Sequence, residues 1–137
     1  MLTASDLEIN VLEFRQRSFQ FDRLATLDGE EYAVFSRTET ESESQFRPRL
    51  LHLHLVVPLA WVVLDEANDS LRVAQDGANA PPHLIETVVE VGAEPPQFRE
   101  QGIEWSRISG PGGAHFYAPA ERAARLFSPE GHAALGV

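Results

Sequence analysis

The sequence predicts an α+β fold. We expect a single globular domain over 1–137, with a mainly antiparallel sheet of about 5–7 strands and three to four helices packed on it. Three observations carry this. The length of 137 residues lies within the about 100–200 that one domain takes. The 43% apolar and 23% charged residues are those of an ordinary soluble domain with a core. Strand-like runs recur as neighbours joined by tight-turn dipeptides, which is how antiparallel hairpins read.

The elements follow in order. Ser5-Asp6-Leu7-Glu8 fits a capping box, with Ser5 as N-cap and Glu8 at N3. Leu7, Val11 and Phe14 recur near helical spacing, so a first helix is expected over 6–17. From Phe19 the period becomes two, with Phe19, Phe21 and Arg23 on one face. Asp28-Gly29 supplies the positive φ angles of a type I′ turn, giving a hairpin over 19–27 and 31–37. Thr38 to Ser44 holds no apolar residue, so a mobile acidic loop is expected at about 38–45. Strands are expected over 49–57, 59–64 and 71–74, with Pro58 interrupting the first and Asp65 to Ser70 forming a turn. The Trp61-to-Leu64 run lacks polar alternation and reads as a central strand covered on both faces. A helix that starts near Pro81 or Pro82, carries its apolar stripe over 84–91 and is closed by Gly92 is expected, with a strand as the competitor because of the β-branched content. Pro95-Pro96 opens a short helical segment that Gly102 ends. Strands over 103–108 and 114–117 flank the Gly110-Pro111-Gly112-Gly113 turn, Trp61 and Trp105 fill the core, and Phe116 and Tyr117 point to opposite faces. Pro119 starts a further helix, and Ser128-Pro129 caps a last one.

Composition excludes several chemistries. Without cysteine there is no disulfide, thiolate zinc site, iron–sulfur cluster or Cys nucleophile. All 11 basic residues are Arg, so Schiff-base chemistry and a P-loop lysine are excluded too. The Arg residues look scattered, and a net charge of −10 opposes nucleic acid and anionic membrane surfaces. No basic-then-apolar stretch resembles a signal peptide, and no apolar run is long enough to span a bilayer, so a cytoplasmic protein is expected.

The most specific motif is His52-Leu53-His54, which on a strand places two imidazoles about 7 Å apart on one side. His115 follows the glycine-rich turn on another strand. His52, His54 and His115, with Asp65 or Glu66, form a candidate ligand set for a divalent transition metal. The arrangement resembles that of the cupin family, small β-barrel metalloproteins with a His pair and a later His after a Pro/Gly turn. Three features depart from it: no Glu soon after His54, no glycine before the pair, and a predicted helix between the motifs. The simpler reading makes Leu51, Leu53, Leu55 and Val57 the core face and the histidines the wetter one. Asp65, Glu66 and Asp69 are turn formers, or else paired carboxylates. The glycine turn lacks any phosphate-loop pattern, and no serine lies in a nucleophile context.

The expected function is therefore a non-catalytic protein-interaction or regulatory module. It would be a homodimer or bind another protein, without a cofactor, nucleic acid or membrane. The alternative is the metal-binding protein just described. An acidic decoy of nucleic acid ranks third, since only Glu39 to Glu43 has the needed carboxylate spacing.

Overall fold

The computed structural model describes residues 2–41, 49–75 and 96–136. The chain order is α1 (Ala4–Ile9), β1 (Val11–Phe14), β2 (Arg17–Leu27), β3 (Glu30–Glu41), β4 (Arg49–Pro58), a 3-10 turn (Leu59–Trp61), β5 (Val62–Asp65) and β6 (Ser70–Val73). Then come β7 (Gln97–Glu100), β8 (Ile103–Ser109), a second 3-10 turn (Pro111–Gly113), β9 (Ala114–Pro119), α2 (Ala120–Leu126) and α3 (Pro129–Leu135). The strands form one nine-stranded sheet in the order β5-β6-β1-β2-β3-β4-β9-β8-β7.

The expected class is corrected on two counts. The sheet is mixed rather than mainly antiparallel, because β1 pairs with β6 and β4 with β9 in parallel. It is also larger and curls into a half-barrel, with three short helices among the described residues. The curl shows in cross-sheet contacts: the Phe14 ring on β1 lies 4.7 Å from Trp105 on β8 and 5.5 Å from Tyr117 on β9.

Two misread segments account for the extra strands. The helix expected over 6–17 ends at Ile9. Its cap is Thr3 with Asp6 at N3, one reciprocal pair upstream of the Ser5–Glu8 box. Asn10 donates its side-chain amide to the Asp6 carbonyl and takes extended backbone angles, so the chain leaves the helix there. From Val11 the burial alternates, with Leu12 and Phe14 inside, so the period is two after all. The helical segment expected after Pro95-Pro96 is instead β7, whose Phe98 pairs with Trp105. Gln101 and Gly102 both take positive φ, making a two-residue hairpin turn from a segment read as helix.

The hairpin around Asp28-Gly29 is present, and both turn residues have positive φ. Its second strand runs to Glu41, pairing through the first part of the segment expected as a loop; 42–48 lie outside the described residues. Glu39 tolerates this place because Arg17 and Arg37 both bind its carboxylate, at 2.7 and 2.8 Å. Val62 to Leu64 belong to β5, an outermost strand of the order rather than a central one, and 59–61 form a 3-10 turn. The helix expected over 84–91 lies outside the described residues.

The sheet has two buried faces. The concave face holds Leu12, Phe14, Phe19, Phe35, Leu53, Leu55, Trp105 and Tyr117. The opposite face holds Ala25, Tyr32, Val34, Val56 and Ala118, covered by Leu126 and Leu135 from α2 and α3. The two tryptophans are buried as expected, and Phe116 and Tyr117 do divide between the faces. A register shift between Phe21 and Arg23 marks a β-bulge at Asp22. It moves Arg23 off the Phe19–Phe21 face, to which the sequence assigned it, and puts Leu24 there. No helix among the described residues is long and apolar enough to cross a membrane.

Candidate functional site

The three histidines do not meet. On β4, His52 and His54 share the helix-covered face, as the period-two reading requires. The β4–β9 register pairs Leu53 with His115 and His54 with Phe116. Side chains at paired positions share a face, so His115 stands beside Leu53 on the concave face, across the sheet from the other two. Asp65 is farther still, with β6, β1, β2 and β3 between its strand and β4. Among the described residues no group of three or more His, Cys, Asp or Glu is placed to hold a metal ion. Spacing within one strand was readable from the sequence; the register of a parallel crossover pair was not.

The acidic turn after β5 is built as a turn. Asn68 donates its side-chain amide to the Asp65 carboxylate at 2.9 Å, and Asp69 takes a positive φ. The Asn68 bond holds the Asp65 carboxyl below its ordinary range. Glu66 and Asp69 are exposed, which leaves neither in a cleft with unequal partners. The glycine turn packs β9 against β4: Gly113 has φ 77°, and a Cβ there would lie 2.8 Å from the Leu50 carbonyl oxygen.

The arginines are less scattered in space than along the chain. Arg17 and Arg37 meet at Glu39 on the concave side. Arg107 sits two places along β8 from Trp105 on that side, and its Nη1 lies 3.3 Å from Nδ1 of His115. A guanidinium only donates, so Nδ1 is the acceptor in this contact. Arg15 and Gln16 form the β1–β2 turn with φ of 52° and 59° and no glycine, a strain of about 1–3 kcal/mol each. That turn lays the Arg15 guanidinium 4.4 Å above the Phe98 ring. This polar rim offers ion pairing and cation–π contact at one end of the half-barrel. Its sequence signal was the period-two spacing Arg15–Arg17 and Arg37–Glu39.

At the other end of β2 lies an apolar groove of about 600 Å³. Leu2 and Leu7 from the α1 end, Phe21 and Leu24 from β2, and Leu59 and Val62 around the 3-10 turn line it. Leu24 is 46% exposed, and Glu8 is the one charged lining residue among the described residues. Nothing in the sequence marked this groove, because the bulge that turns Leu24 into it has no dipeptide signature.

The helix-covered face carries two perturbed groups. Tyr32 is buried and donates its hydroxyl to Glu30 at 2.6 Å; burial first, then Glu30, push its pKa up to about 12. His54 is half-buried and stacks on Phe116, ring centroids 4.9 Å apart. Burial, with the Arg23 charge behind it, holds its pKa below 6.5.

Comparison with known proteins adds no relative: no family model, no curated protein and no solved structure matches this chain.

Proposed function

We propose that this protein is a non-catalytic protein-interaction module that docks an apolar segment of its partner into the groove between α1, β2 and the 3-10 turn. The observation that carries the reading is Leu24, a large aliphatic side chain 46% exposed in an otherwise apolar cleft. A cleft of about 600 Å³ is large enough for one or two inserted side chains. Among the described residues its lining offers mainly burial: beside the apolar residues stand Thr3 and Glu8. Such a lining suits recognition rather than turnover.

The proposal includes a homodimer as one form of the partner and the cytoplasm as the place of action. Support for the second is compositional: no cysteine to oxidise, and a charge of −10 that disfavours phosphate-rich surfaces.

Leu24→Glu tests it, since the exposed site accepts a charge without disturbing the core. Multi-angle light scattering and cross-linking in the producing cells should show the wild type as a dimer or joined to a defined protein. The variant should lose that species while its thermal melt stays unchanged. A wild type that is monomeric and joins nothing, or a variant that keeps the same species, would overturn the reading.

A further inference from the structure

We propose that His54 is a proton-operated latch on the helix α3. The histidine lies on the helix-covered face of β4, with its ring stacked on Phe116 at an interplanar angle of 16°. Phe116 is shared: its other contacts are Phe127, at 5.8 Å, and His132 of α3, at 6.5 Å. The Nδ1 atom of His54 is buried and has no hydrogen-bond partner among the described residues. A neutral ring needs a proton on one nitrogen only and can leave Nδ1 bare. A protonated ring carries N–H on both, so Nδ1 becomes a buried donor with nothing to accept from it.

The charges around His54 set the direction. From β2 come Arg23 and Asp22, and from β4 comes His52. The paired positions on β3 and β9 are Ser36 and Phe116, which carry no charge. From α3, His132 touches the shared Phe116 ring. Arg23 and His52 oppose a proton on His54; Asp22 favours it, but its carboxylate is engaged at 2.6 Å with Arg23.

Arg23 connects the histidine to the helix. Its Nε donates to the carbonyl of Leu135, the last residue of α3, at 2.8 Å, and Nη2 donates to the same oxygen. The helix therefore ends on a guanidinium whose charge also acts on His54. Protonation sets a second cation against that clamp. An imidazolium over the Phe116 face regains part of the cost as a cation–π contact. The orphan donor and the Arg23 guanidinium oppose it. In the neutral state α3 is latched; in mild acid the clamp loosens and uncovers the Val34–Val56–Ala118 strip beneath α2 and α3.

The sign follows from linkage. Folding lowers the His54 pKa, so the docked state takes up its proton later than the undocked one. The neutral latch acts fully above about 6.5 and fades as pH falls from there toward the folded-state pKa. Amide hydrogen exchange by NMR between pH 7.5 and 5.5, corrected for intrinsic rates, reads this directly. Protection in α3 should hold from pH 7.5 to about 6.5 and then fall by at most about tenfold per pH unit, while strands β3 and β4 keep theirs. His54→Phe keeps the stack and should leave α3 protection independent of pH. Because that variant also alters packing, the imidazole proton shifts of His54 and His132 are followed in the wild type, and loosening should track His54. Constant α3 protection, an unchanged response in His54→Phe, or loosening that tracks His132 would each overturn the latch.

Discussion

The two faces of the sheet solve the same burial problem with different materials. The concave face is closed by aromatic rings that meet across the curl: Phe14 packs edge-on against Phe19, Trp105 and Tyr117. The opposite face uses small and aliphatic side chains and needs α2 and α3 as a lid. A face closed mainly by its own strands, with Leu7 of α1 and Trp61 of the 3-10 turn added, has no detachable lid among the described residues. A face closed by two seven-residue helices does, since helices that short are held by packing rather than by their own propensity. The difference separates the part that fixes the fold from the part that can respond to conditions.

The sharpest way to break this comparison is to truncate one face and then the other. Trp105 is 1% exposed and donates its indole N–H to the Glu100 carbonyl at 3.2 Å. Trp105→Ala should cost about 3–5 kcal/mol and unfold the whole chain in one transition. Urea titration followed by circular dichroism checks it. A loss under 1 kcal/mol would mean that the curl does not depend on its aromatic centre.

On the lidded face, Gly131 should give a smaller and more local effect. It lies on α3 where a Cβ would run into the carbonyl oxygens of Leu126 and Arg125 at the end of α2. Those are backbone atoms and cannot swing aside. Gly131→Ala should cost about 1–3 kcal/mol, with exchange protection lost in α3 before the concave strands. Equal loss on both faces would show that the helices are not a separable lid.

What the sequence disclosed divides along the same line. Local signals were reliable: Asp28-Gly29 gave its hairpin, Ser128-Pro129 gave the α3 cap, and alternation gave β4. Length of period was the weak point. Leu7, Val11 and Phe14 fit a helix, yet the same letters fit α1 followed by β1, and tertiary pairing of Leu12 with Phe19 decides. Long-range register was not encoded locally at all. The parallel pairing of β4 with β9 sends His115 to the concave face, and the bulge at Asp22 sends Arg23 to the lidded one. One residue of register decides which face a side chain joins, so the triad drawn from spacing does not form, and the Arg23–Leu135 contact had no spacing to announce it.

Alkali should sharpen the comparison further, because the two tyrosines lie on different faces. Tyr32, with its pKa near 12, keeps its proton in the fold beyond the pH at which an unfolded tyrosine loses it, near 10. Its contribution is complete below pH 10 and disappears as pH rises toward 12. Absorbance at 295 nm should show its ionisation delayed, and urea midpoints should fall between pH 10 and 12. In Tyr32→Phe that fall should shrink. A Tyr32 that titrates near 10 would mean that the Glu30 bond and the burial act weakly on it.

The smallest effect expected is at the N-terminal cap, and it bears on the groove. Thr3 accepts from the Asp6 amide at 3.1 Å while the Asp6 carboxylate accepts from the Thr3 amide at 2.8 Å. This pair starts a six-residue helix whose Leu7 is buried in the concave core and lines the groove beside Thr3, Ala4 and Glu8. Thr3→Ala removes the side-chain acceptor and should cost about 1 kcal/mol. The loss should appear as faster exchange in α1, with β2 and β3 unchanged. If the groove is the docking surface, the same variant should weaken partner association more than it lowers the melt, because a frayed α1 loses the wall before it loses Leu7 from the core. Equal weakening of both would make α1 a structural cap and leave Leu24 alone to carry the contact.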